Sequence, residues 1–266
     1  MEVRDPMGLA LNLLSSHILA DVSVGDHVVR KVGGLTLNMD TVWATVAAGV
    51  VTIALGLVVR ARATAGVPGK MQLVWEFGVT TVKKQVESNI GPRGARIVPL
   101  AVTLFVFILV CNVFAVVGLG STVEWLPAPT ADINLPLALA IFVIILVHVA
   151  SVRARGWKGY VKHYLTQPFP LILMPFNAFI NLVEEIAKPL TLALRLFGNL
   201  LSSALMLSLL AFLVAWKLGA IPVGGILFLV FDPVWKLFDL VIGAIQAFIF
   251  ALLTILYFDT AMSDGH

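Results

Sequence analysis

Between Pro189 and Trp216 the chain is a run of leucine, alanine and phenylalanine in which Arg195 is the one charged residue. A guanidinium keeps its proton at any accessible pH, so Arg195 cannot relay a proton by releasing one. Its chemistry is electrostatic: a permanent cation repels a passing proton and stabilises a nearby ionised carboxylate. Near the centre of a bilayer such a residue costs about 3 kcal/mol on insertion scales and about 10 or more in simulations of isolated helices. It therefore requires a partner or a hydrated cavity. The alternatives are an ion pair made for packing or an arginine that snorkels to an interface, and Arg195 lies far from either end of its apolar run. No carboxylate stands close to it on its own helix, which puts the partner acid on another subunit. If that acid must shed its proton to pass Arg195, a proton crosses only when the partner moves.

The surroundings carry a pattern. Asn177, Asn181, Glu184, Lys188, Thr191, Arg195, Asn199 and Ser202 are spaced by threes and fours, a polar stripe on one face of a helix that continues through them. Its early part, Asn177 to Lys188, also fits an interfacial amphipathic helix. A second stripe follows in Asp232, Lys236, Asp239, Gly243, Gln246, Thr254 and Tyr257. Two such helices face to face would enclose hydrated space and show lipid only apolar side chains. Asp232 and Lys236, one turn apart, also fit a simple ion pair, whereas Asp239 and Gln246 lie deeper and are the stronger candidates for a proton path. His148, alone on an apolar helix, reads as a packing histidine. Asp132 and Asn134 read as caps for the helix that follows them, with a secondary role at a channel mouth.

The elements that position these residues are membrane helices. The chain has 266 residues, 59% hydrophobic and 12% charged, and a mean hydropathy of +0.99, too apolar for a water-soluble domain. Lipid is its solvent, and the basic residues between apolar runs suit topology rather than nucleic acid. An all-α membrane protein is expected, with spans near 41–59, 97–119, 134–152, 169–216 and 220–262. Residues 41–266 read as one transmembrane domain, preceded by an outside segment, 1–40, that lacks the features of a cleaved secretion signal. The last two stretches exceed one perpendicular crossing. Each is either a surface helix joined to a crossing helix or a long, strongly tilted helix, with Pro175, Pro189, Pro222 and Pro233 as candidate breaks. Residues 67–89 mix apolar and charged side chains and read as a cytoplasmic-interface helix. Arg60 to Arg96 is rich in Lys and Arg and Gly120 to Ile133 has none, which predicts an outside N-terminus and a cytoplasmic C-terminus. The single cysteine, Cys111, lies inside an apolar run and excludes an internal disulfide or a cysteine metal cluster.

Four segments together are family-specific: LTLALRLFGN around Arg195, IQAFIFALLTILY around Gln246, PTADIN before the third span and AGVPGK in the first basic loop. From about Leu35 onward the chain resembles subunit a of the F-type ATP synthases. The resemblance implies that Arg195 is the essential arginine between two aqueous half-channels, and that its partner carboxylate sits on a rotating ring of c subunits. It also implies that Asn199 and Gln246 are channel residues and that the two long helices lie steeply tilted against the ring. Glu184 and Glu185 then fit a cytoplasmic half-channel entrance, although solvated interface charges would look the same. Thr191, Ser202, Asp232 and Asp239 complete the proposed path. Many relatives carry Glu nine residues after the arginine, where this chain has Ala204, and His or Glu seven before the glutamine, where it has Asp239. Asp239, with Asp232, is therefore expected to supply the missing carboxylate. Further expected partners are subunit b or an equivalent peripheral stalk and, indirectly, the peripheral ATPase sector. No Walker-type phosphate loop is present: VGGILF lacks the lysine and the Ser or Thr. The chain is thus read as a non-enzymatic subunit with no cofactor and no metal, conducting H⁺ rather than Na⁺ in a bacterial plasma membrane. A stand-alone transporter, or the permease of a pump driven by a separate ATPase, are the competing readings; paired broken helices in two repeats, the usual transporter sign, are not found.

Overall fold

The computed structural model describes residues 29–32, 35–64, 66–118, 129–166, 174–213 and 223–262. Uncharged runs about 20 residues long become helices because in hydrocarbon each backbone N–H and C=O must find its partner within the segment. Among the described residues five helices are long and apolar enough to cross a membrane: α1 (Met39–Arg62), α3 (Val98–Gly118), α4 (Asn134–Thr166), α5 (Met174–Leu213) and α6 (Val223–Met262). The amphipathic segment after the first basic loop forms α2 (Lys70–Ile90) and runs on into a 3-10 turn, Gly91–Arg96. Ahead of α1 stands a short antiparallel ribbon, β1 (Val29–Val32) and β2 (Leu35–Asn38), with Val29 opposite Asn38. It falls in the segment expected to lie outside the membrane, and no strand was anticipated there.

The third span outruns its expected end at Val152. Helix continues to Thr166, but Gly156 (φ 71°, ψ 162°) divides it into two pieces. A residue with a Cβ adopts that conformation only with strain, so glycine permits the change of direction.

The two long stretches form single helices of 40 residues each, about 60 Å at a rise of about 1.5 Å per residue. That is about twice the hydrocarbon thickness of about 30 Å, so in a bilayer they must tilt strongly. A surface helix joined to a separate crossing helix is not what forms. Pro189 and Pro233 lie inside their helices without ending them. Pro175 occupies the second position of α5, where a missing N–H has no intrahelical partner to lose. Pro222 and the turn Lys217–Gly219 lie outside the described residues.

The core forms where α3, α4, α5 and α6 meet, from Leu104, Ile108, Ala140, Val143, Leu192, Ala193, Leu196, Ala247 and Phe250. Alanines at the contact let helix backbones approach closely, the main source of attraction where the solvent is as apolar as the side chains. Helix α2 docks on this bundle through Val82 and Val86 against Ala101 and Ile255. Helix α1 packs Ala48 on Val110 and the buried Cys111.

Two polar clamps fix the register. At one end of the bundle the Asp132 carboxylate accepts hydrogen bonds from the Asn134 amide (3.0 Å) and Asn134 Nδ2 (2.8 Å), which caps α4. Its second oxygen accepts from Asn38 Nδ2 (2.7 Å) and Thr41 Oγ1 (3.1 Å), which ties the start of α1 to the start of α4. Burial alone would raise the Asp132 carboxyl, but these donors outweigh it and hold the group below the usual carboxylate range. Because the folded-state value is depressed, the stabilisation is fully present above pH about 4 and is lost as pH falls through the lowered value. Asp132→Ala should destabilise the protein by about 2 kcal/mol, since it strands donors on two helices. Thermal unfolding in detergent across pH checks this: the gap between variant and parent should close on acidification.

Deeper in the bundle Asn112 Nδ2 donates to the Gly243 carbonyl at 2.9 Å, joining α3 to α6, and Thr130 Oγ1 donates to Asn112 Oδ1 at 3.4 Å. A Cβ on Gly243 would stand 3.0 Å from that of Asn112. Gly243→Val should therefore push α3 from α6 and lower stability by about 1–3 kcal/mol, measured by the same unfolding assay, and Asn112→Ala, which keeps that Cβ, should not restore it.

Candidate functional site

Helices α5 and α6 run antiparallel, and two side-chain meetings set the level of each residue. Near the Asp132 end, Ser203 Oγ on α5 donates a hydrogen bond to Asp239 Oδ2 on α6, both residues buried. Near the other end, Lys188 on α5 stands over the Tyr257 ring of α6, 5.9 Å from its centroid. Arg195 lies between these points, about 12 Å along the helix from Ser203 and about 10 Å from Lys188 at about 1.5 Å per residue. In this register it falls between the levels of Ala247 and Phe250 on α6, within a turn of the buried Gln246.

The α5 stripe does not face one environment throughout. Its first part turns toward α4: Asn177 Nδ2 donates to the Leu165 carbonyl (3.1 Å) and Asn181 Nδ2 to that of Tyr164 (2.6 Å). Glu184 pairs with Lys188 at 3.0 Å, and Glu185 pairs with Lys188 at 3.6 Å and with His148 Nε2 at 2.9 Å. Beyond Lys188 the stripe is left uncovered by the described helices. Thr191 and Ser202 are exposed and return their hydroxyl hydrogens to their own helix, to the Ala187 carbonyl and the Gly198 carbonyl (both 2.8 Å). Asn199 is half-buried. Arg195 is exposed, flanked by exposed Leu190 and Leu194, and makes no ion pair with any described residue. Its opposite face, Leu192, Ala193 and Leu196, is core.

The α6 stripe is turned inward for most of its length. Asp232 and Lys236 form the ion pair their spacing allowed, at 3.0 Å. Asp239, Gln246 and Thr254 are buried, and the Thr254 hydroxyl donates to the Phe250 carbonyl at 2.9 Å.

Two polar regions thus flank Arg195. Toward the Asp132 end lie Ser203, Asp239, Asn112 and Thr130. Toward the other end opens a cavity of about 440 Å³ lined by His148, Arg155, Tyr160, Tyr164, Asn181, Glu184, Glu185, Lys188 and Tyr257 among others. Sequence reasoning passed over several of these. His148 is not a packing residue: Nε2 meets Glu185 and Nδ1 meets the Tyr160 hydroxyl at 3.1 Å. Asn112 was signalled by being a lone amide within an otherwise apolar span. Ser203 differs from Ser202 only by one step of helix, and nothing in the sequence says which of the two faces α6.

The ATP synthase A chain family model matches residues 41–259, which take in all but the ends of the five described helices that could cross a membrane. The chain belongs to this family. It is similar to ATP synthase subunit a of Acidothermus cellulolyticus, 49% identical over 251 residues that cover 94% of this chain and 86% of the relative. It is also similar to ATP synthase subunit a of Mycobacterium bovis (44% over 253 residues, 92% and 95% covered) and of Shewanella baltica (35% over 253 residues, 90% and 88% covered). As a member it is a multi-pass membrane subunit of an F-type ATP synthase, the proton-translocating stator component of the membrane sector. The subunit a resemblance drawn from the four sequence segments is therefore correct.

Proposed function

We propose that this chain provides two hydrated half-channels that meet at Arg195, and that a rotor carboxylate carries each proton from one to the other. The observation that carries the reading is a permanent cation exposed between apolar side chains, with no acid paired to it among the described residues, midway between two polar regions. Facing lipid it would be strongly unfavourable. Facing a ring of c subunits, it would lower the pKa of each arriving carboxyl and force the proton off before that group passes. Thr191, Asn199 and Ser202 lie along the same rotor-facing surface, with Gln246 behind it.

In this reading the Asp132 end faces outside and the cavity end faces the cytoplasm of a bacterium. The basic residues Arg60, Arg62, Lys83, Lys84 and Arg96 between α1 and α3 support that orientation. Protons enter past Asp232 to Asp239 and leave past Glu185 and Glu184. The transmembrane field supplies about 2.3 kcal/mol per charge per 100 mV, so several protons are needed for each ATP. Subunit b or an equivalent peripheral stalk holds the chain against the torque, residues 1–40 lie outside, and residues 41–266 act as one membrane domain that hydrolyses nothing itself.

A photo-crosslinker on Leu194→Cys tests the arrangement in the assembled complex. It should capture a small rotor subunit, whereas the same label on Val50→Cys, exposed on α1, should not. Capture of lipid alone at position 194 would overturn the reading.

A further inference from the structure

The cavity contains a group that the path through Glu184 and Glu185 does not use. His148 sits on α4 with both ring nitrogens engaged: Nε2 lies 2.9 Å from Glu185 Oε2 and Nδ1 lies 3.1 Å from the Tyr160 hydroxyl. A histidine held only for packing needs neither contact, and one held as a simple counter-ion needs only the first. Here the imidazole is a bridge between a carboxylate on the Arg195 side of the cavity and a hydroxyl beyond it. The bridge is supported from behind. Tyr160 meets the His148 ring edge-on at 5.9 Å and lies in a tilted contact with Tyr164 at 6.4 Å. Gly156 redirects α4 between His148 and Tyr160, and this break lies within the stretch that brings the tyrosine back to the ring.

Resting on the half-channel reading, we propose that His148 is a proton-relay residue between Glu185 and water at the mouth of the cavity, with Tyr160 orienting its ring. The step balances without any other reactant. A protonated Glu185 gives its proton to His148 Nε2, and the imidazolium gives up its Nδ1 proton to the Tyr160 oxygen as that hydroxyl passes its own to water. One proton has moved, only N–H and O–H bonds have changed, and the ring is left in its other tautomer, which proton exchange with cavity water, losing one at Nε2 and gaining one at Nδ1, returns to the start. Imidazole suits the task because its unperturbed pKa, about 6.5, lies near neutrality. The charged and titratable groups facing it are Glu184, Glu185 and Lys188 from α5, Arg155, Tyr160 and Tyr164 from α4, and Tyr257 from α6. Lys188 competes for the same Glu185 carboxylate, at 3.6 Å. A proton arriving at Glu185 weakens that ion pair and frees the acid to address His148.

The test uses membrane vesicles carrying the assembled complex, with passive proton conduction through the membrane sector measured after the peripheral ATPase is stripped off. His148→Ala should lower conduction about a hundredfold, the low end of what a positioned acid–base group contributes. Millimolar imidazole should restore part of it, since the vacated cavity can admit the free base. Tyr160→Phe should give a smaller loss and shift the pH profile of conduction. Parental conduction by His148→Ala would overturn the relay. So would a loss that imidazole leaves unchanged but that His148→Gln repairs, because glutamine keeps the hydrogen bonding and cannot carry the proton. Glu185→Gln separates this proposal from the reading beneath it: normal conduction there would remove the cavity from the proton path altogether, whereas a loss there beside a normal His148→Ala removes only the relay.

Discussion

Arg195→Ala should abolish ATP synthesis driven by an imposed proton gradient, while the complex should still assemble and its peripheral sector should still hydrolyse ATP. The size of the effect follows from Coulomb's law. A unit charge about 4 Å from a carboxylate, at an effective dielectric of about 20, is worth about 4 kcal/mol, which is about three pKa units. On the proposed mechanism, a rotor carboxyl passing position 195 without that charge would have no reason to ionise and would pass the stator still protonated. Rotation is then no longer tied to the release of a proton. Arg195→Lys should retain part of the function, because charge is kept while the fixed planar fork is lost. Assembly is expected to survive because the Arg195 side chain points away from the core, whose neighbouring members are Leu192, Ala193 and Leu196. ATP synthesis in reconstituted vesicles is the measurement, and parental synthesis by Arg195→Ala would dismantle the proposed mechanism.

Asp239→Asn is expected to lower proton pumping by about ten- to a hundredfold, within or just below the range that a positioned proton-transfer group contributes. Asp239 is buried on α6, and its carboxylate accepts the Ser203 hydroxyl hydrogen. Asparagine preserves size and hydrogen bonding but cannot take up a proton, so the loss isolates proton transfer from packing. The contact with Ser203 gives a stricter test. Ala204 adjoins Ser203, and at that position many relatives carry Glu. Adding Ala204→Glu to Asp239→Asn should recover much of the lost pumping by returning a carboxyl to the same region. Ser203→Ala alone should act mildly, shifting the pH dependence of pumping more than its maximal rate. Proton uptake driven by ATP hydrolysis in inverted vesicles would report all of these, and undiminished pumping by Asp239→Asn would remove this residue from the path.

Much of this architecture is legible from local physics. Runs such as Ile97–Leu119 leave a chain in lipid no option but helix, and the lone charge in Pro189–Trp216 marks itself by its unfavourable setting. What spacing could not decide was which neighbour each face would meet. Asn177 and Asn181 lie on the same face as Thr191 and Arg195 by helical period, yet the first two donate to carbonyls of α4 and the second two are left bare. His148 looked like filler because its partners, Glu185 and Tyr160, stand 37 and 12 residues away. Asp132 was read as a cap, and it is one, but its bonds to Asn38 and Thr41 reach across more than 90 residues of chain.

Span number, the all-helical membrane body and the candidate roles of Arg195, Asp239 and Gln246 were determined by sequence alone, because hydropathy, helical period and the penalty for a charge in lipid act locally along the chain. Tertiary structure decided that α5 and α6 are unbroken, that Ser203 rather than Ser202 meets Asp239, and that His148 bridges Glu185 and Tyr160. Those outcomes depend on the rotation and register of one helix against another. Such register is set by close contacts among side chains distant in sequence, such as Asn112 against Gly243, that no local pattern encodes.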